Sequence, residues 1–119
     1  MGIQKFEDLI AWQRAQDFTV LIYKHFKELS DFGFKNQICR AAISISNNIA
    51  EGFDRSSNPD FRRFLYFSLA SNSEVKSMLY LAHRLEYINE SDKHAMLNYS
   101  NEIGKILNGL INSITPKKP

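Results

Sequence analysis

Two carboxylates, Glu51 and Glu74, fall on successive predicted helices where they could meet face to face, the arrangement that general acid–base chemistry needs. Arg40 and the amides of Gln37 and Asn48 lie on the same line, which turns that pair toward a structural charge cluster rather than a proton relay. The three histidines, His25, His83 and His94, belong to three different helices with no ligand spacing among them. No Glu-x-x-His pair of the kind that holds di-iron centres inside helical bundles occurs. The single cysteine, Cys39, sits among apolar residues and reads as a buried, inert thiol with no internal disulfide open to it. Glycine-rich phosphate loops, nucleophile elbows and zinc motifs do not occur. The expectation is a protein with no catalytic residues, no metal and no cofactor.

The elements that must position these residues are helices. From Gln37 to Gly52 the apolar residues Ile38, Ala41, Ala42, Ile45 and Ile49, continued by Phe53, recur at steps of three and four, the spacing of one helical face. Beside them runs a polar seam, Gln37, Arg40, Ser44, Asn48 and Glu51, whose amides and charges need partners wherever they are covered. Similar apolar lines predict helices over about 6–29, 34–55, 59–88 and 91–114, with a loose tail over 115–119. Asp31, Asn58 and Ser91 read as helix caps, with Pro59 suited to a first turn. The third helix would be about 45 Å long and should overhang its neighbours or bend. Short breaks between four helices favour antiparallel neighbours: a single all-α domain, an up-down-up-down four-helix bundle.

At 119 residues, with 44% hydrophobic and 24% charged content and a net charge of +2, the chain has the composition of a globular, mildly basic domain. No apolar run approaches the roughly 18 residues of a membrane span, and residues 1–5 carry no apolar signal core, so a cytoplasmic protein without membrane attachment is expected. The basic residues gather by end in this topology. Arg55, Arg62 and Arg63 surround the second turn, while Lys24, Lys27 and Lys35 lie at the opposite end, and both groups suit phosphate contact better than base reading. Trp12, Tyr23, Tyr66, Phe67 and Tyr80 fall off the core lines. Exposed aromatics of this kind mark a contact surface, so a homo-oligomer is expected.

The motif string resembles that of the 23S rRNA intervening-sequence proteins, also called bacterial four-helix bundle proteins. The likeness begins at Phe6-Glu7-Asp8-Leu9 with Trp12-Gln13 and Tyr23. It strengthens over Gln37–Gly52, which is similar to the central pattern Q-x-x-R-A-x-x-S-I-x-x-N-I-A-E-G, and continues through Phe61, Phe64-Leu65, Ser71 and Glu74. One departure is Ala70-Ser71, where the family often has Gly-Ser. The resemblance implies a four-helix subunit that assembles as a homopentamer, with no established catalytic activity and with RNA or DNA as possible partners. It also implies that Gln37, Arg40, Ser44, Asn48, Glu51 and Glu74 form an internal hydrogen-bond and charge network. The function expected is a nucleic-acid-binding accessory protein; the alternative is a protein-interaction scaffold with no nucleic-acid role.

Overall fold

The computed structural model describes residues 2–117, so the tail residues Lys118 and Pro119 lie outside the described part. A 3-10 turn at Phe6–Asp8 precedes four α-helices, α1 (Ile10–Phe26), α2 (Phe32–Phe53), α3 (Asn58–Arg84) and α4 (Glu90–Ser113). The chain is all-α among the described residues, and it measures 50 × 24 × 21 Å.

The direction of each helix follows from pairs that tie it to its neighbours. Thr19 donates to the carbonyl of Ala42, and Lys35 to that of Lys27, so α1 and α2 run antiparallel. Gln37 meets Glu74 and Ser44 meets Ser71, while Gly52 lies against Phe61 and Phe64, so α2 and α3 do the same. Asn72 pairs with Ser100, and Arg62 with the carbonyl of Ile114, so α3 and α4 follow suit. Phe18 stacks on Tyr99 and closes α4 onto α1. This is the up-down-up-down bundle that the apolar periodicity predicts.

The core residues recur as that periodicity requires. In α1 they are Ala11, Ala15, Phe18, Ile22 and Phe26, and in α2 they include Ile38, Ala42, Ile45 and Ile49. At one end the core closes with Phe26, Phe34 and Tyr87, and at the other with Phe53, Phe61 and Phe64.

The helix ends depart from expectation for local reasons. The first helix does not begin at Phe6: Leu9 is extended, the Phe6 ring packs edge-on against Trp12, and the Gln13 side chain donates to the carbonyl of Glu7. Asp31 caps α2 as expected, accepting from the amide of Phe34. The cap of α3 is Ser57 rather than Asn58, and that of α4 is Asn89 rather than Ser91. In both, the effective oxygen lies three residues before the amide it meets, one or two positions ahead of the residue expected. α3 stops at Arg84 and not at Ile88, because Glu86 adopts a left-handed conformation (φ 64°) and the Tyr87 amide turns back to Ala82.

Candidate anion-binding cleft

Toward the α1–α2 turn, the outward faces of these two helices leave a cleft of about 460 Å³. Tyr23 comes from α1 and Lys27, one turn on, from its C-terminal cap, and Lys35, Asn36, Cys39, Arg40 and Ile43, on successive turns, come from α2. Three of these seven side chains are cationic and none is a carboxylate. None of the three makes an ion pair among the described residues. The Lys35 ammonium donates to the carbonyl of Lys27 at 3.3 Å and lies 4.8 Å from the Phe32 ring, so it is held over the end of α1. The nearby carboxylate of Asp31 is already engaged: it accepts from the Phe34 amide and, at 2.7 Å, from the Tyr87 hydroxyl. The Tyr87 bond first, then the amide, holds the Asp31 carboxyl below its usual range. Cys39 lines the cleft floor, where burial pushes its thiol up against the opposing influence of Lys35 and Tyr23. That agrees with an inert thiol.

Of the six basic residues singled out in the sequence, the structure gathers Lys27 and Lys35 here and leaves Lys24 exposed nearby. Arg55, Arg62 and Arg63 stand at the far end of α2, about 30 Å away at roughly 1.5 Å per residue. Two of these form an aromatic-backed pair: Arg55 lies 4.7 Å over the Phe64 ring, and Arg63 4.9 Å over the same ring and 5.6 Å from Phe67. Arg63 is also bonded to Asp60. Arg62 does not belong with them. Its guanidinium turns inward to the Ile114 carbonyl at 2.8 Å and ties α3 to the end of α4.

The polar seam does not form one network. Gln37 donates to Glu74 at 3.4 Å, and separately Asn48 and Ser71 both converge on Ser44. Arg40 joins neither group; it faces the cleft. Glu51 is exposed and makes no hydrogen bond or ion pair among the described residues. Nor do Glu51 and Glu74 face each other. Glu74 lies opposite Gln37, and Glu51 is about 21 Å further along α2 at 1.5 Å per residue, so the acid–base pairing is corrected.

Among the aromatics, Trp12 is half-buried against Phe6, which removes it from the free flank. Tyr66, Phe67 and Tyr80 remain 55%, 44% and 50% exposed, and Tyr23, also 44% exposed, is a wall of the cleft. His25 and His83 face Asp92 and Glu90 in separate pairs, and among the described residues no group of three or more potential ligands could hold a metal ion. Sequence reasoning missed the place of Arg40 in the cleft, and it missed the buried pair of Asn72 and Ser100. The Asn72 pair shows in sequence only as a thinning of the apolar line of α3.

Fold and surface together define an antiparallel four-helix bundle with a cationic cleft on one face and no recognisable reaction centre among the described residues. The chain belongs to the family of the 23S rRNA-intervening sequence protein, whose profile matches residues 7–109. It is similar to a crystal structure from Bacteroides thetaiotaomicron, a protein with unknown function from the S23 ribosomal protein family. The two share 32% sequence identity with a TM-score of 0.80, over 86% of this chain and 98% of that one. Among curated proteins none matches this chain significantly. No helix among the described residues is long and apolar enough to cross a membrane.

Proposed function

We propose that this chain is a subunit of a cytoplasmic, non-enzymatic homo-oligomer, a pentamer by family resemblance, that binds RNA or DNA through phosphate contacts. The observation that carries this reading is the carboxylate-free cleft with Lys27, Lys35 and Arg40. Three cations without acidic partners attract a polyanion more strongly than the chain's modest net charge suggests. Arg55 and Arg63, held on Phe64, form a second and weaker contact region, since Asp60 already answers Arg63. In a ring, each cleft would be repeated around the axis, and a polyanion spanning several would bind with avidity. The family name and the ribosomal-protein classification of the Bacteroides relative agree with a nucleic-acid setting.

The test is binding of the purified protein to labelled rRNA hairpins and duplex DNA across a salt series, with solution mass recorded on the same samples. Binding should weaken steeply with salt. Charge reversal at Lys27, Lys35 and Arg40 together should abolish it while leaving mass and helicity unchanged, and each single neutralisation should lower the salt slope by about 0.7–0.9. An intact oligomer that binds neither probe at low salt would overturn the reading. The scaffold alternative would then take its place, with a protein partner on the exposed rings of Tyr66, Phe67 and Tyr80.

A further inference from the structure

The same cleft has a division that phosphate contact alone does not require. Its register follows from the ties between α1 and α2: Lys27 lies opposite Lys35, and Thr19 opposite Ala42, which sets Tyr23 between them across from Cys39. The wall nearest the turn is therefore cationic. Further along come the Tyr23 ring, the Cys39 floor and half-buried Ile43, with Arg40 at the rim. Asn36, also on the rim, has an exposed amide with no side-chain partner among the described residues. The volume of about 460 Å³ lies within the range of small-ligand pockets and is far too small for a duplex.

We infer that the cleft takes one unpaired nucleotide, with its phosphate between Lys27 and Lys35 and its base against Tyr23 and Ile43 beneath the Arg40 guanidinium. This rests on the phosphate-contact reading and adds the form of nucleic acid. In a duplex both faces of each base are covered by neighbours, so an aromatic wall offers nothing to it. In a single strand or at a frayed end the base faces are open, and stacking on a tyrosine or an arginine plane is sequence-tolerant. The Asn36 amide on the rim is a neutral polar group that can meet a base edge or sugar, and a single such contact gives only slight base preference. A free nucleotide and a nucleotide within a strand present the same chemistry, and the experiment separates them.

The purified protein is titrated with a labelled twelve-nucleotide single strand, with the same strand annealed to its complement, with adenosine 5′-monophosphate and with inorganic phosphate. The single strand should bind at least about tenfold more tightly than the duplex, and Tyr23→Ala should weaken the single strand by roughly tenfold while Tyr23→Phe retains it. The salt slope should be the same for Tyr23→Ala and the unaltered protein, because the lost contact carries no charge. Adenosine monophosphate should shift the amide resonances of Tyr23 and Ile43 at concentrations where phosphate does not; if only the strand binds, the nucleotide must be held within a chain. Equal affinity for single strand and duplex, with Tyr23→Ala indifferent, would overturn the nucleotide pocket and leave the phosphate reading standing. Unchanged binding after neutralising Lys27, Lys35 and Arg40 would overturn both. Should Tyr23→Ala alter the solution mass, the unaltered protein decides: equal affinity for single strand and duplex sinks the inference.

Discussion

Gly52 closes the central motif because two helices meet there at unusually short range. A Cβ at this position would fall 2.5 Å from the Cβ of Phe64 and 3.1 Å from the Phe61 ring, so α2 and α3 could not keep their spacing. Gly52→Ala should lower stability by about 1–3 kcal/mol, read as a drop in thermal midpoint, because overpacking a well-filled contact forces neighbours off their rotamers. A second residue-scale prediction concerns acid. Asp31 has its pKa depressed in the folded chain, chiefly by Tyr87, so its contribution is present above the unfolded carboxylate pKa and is lost as pH falls through the lower folded value. Tyr87→Phe removes the larger cause. The Asp31 carboxyl resonance should then titrate at higher pH, and the acid limb of the stability profile attributable to it should flatten. An unchanged Asp31 titration would contradict this.

At the scale of elements, the apolar periodicity located all four helices, because burial on one face imposes a repeat that any stretch of sequence displays locally. Their ends were harder to read. Asn58-Pro59 carries the residue types of a helix start, yet Ser57 supplies the capping oxygen, and Asp31 was identified correctly from the same kind of signal. Neighbouring polar residues are near-equivalent as caps, and which one is used depends on how the chain enters the turn. Ser57→Ala should therefore cost about 0.5–2 kcal/mol in a denaturant titration while Asn58→Ala costs much less. The reverse order would restore Asn58 as the cap. Arg62 illustrates the same limit for a functional residue. Nothing in its neighbourhood in sequence separates it from Arg63, and only the return of α4 places the Ile114 carbonyl within its reach.

At the scale of the whole molecule, an assembly would cover side chains that the single bundle leaves exposed. Glu51 stands exposed on α2, and Tyr66 on α3. Side chains of this kind without partners in one subunit are the ones an assembly interface would use. If the proposed oligomer forms through these side chains, Glu51→Lys should leave the helicity of the subunit unchanged and reduce its solution mass at micromolar concentration. A reduced thermal midpoint at unchanged mass would instead assign Glu51 to the stability of the single bundle. Glu51 does not line the cationic cleft, so loss of assembly and loss of nucleic-acid binding should separate in these variants.

The sequence by itself determined the class of fold, the family, the inert character of Cys39 and the identity of the polar seam, since each is written in local spacing and residue type. Tertiary structure alone decided which of those polar and basic residues act together. The antiparallel register of α2 and α3 moved Glu51 away from Glu74, and the approach of α1 to α2 brought Tyr23, Lys27, Lys35 and Arg40 around one cleft. The physical reason is that periodicity records which face of a helix is buried, whereas the partner across a helix–helix contact depends on axial register, which is set by packing between residues far apart in the chain.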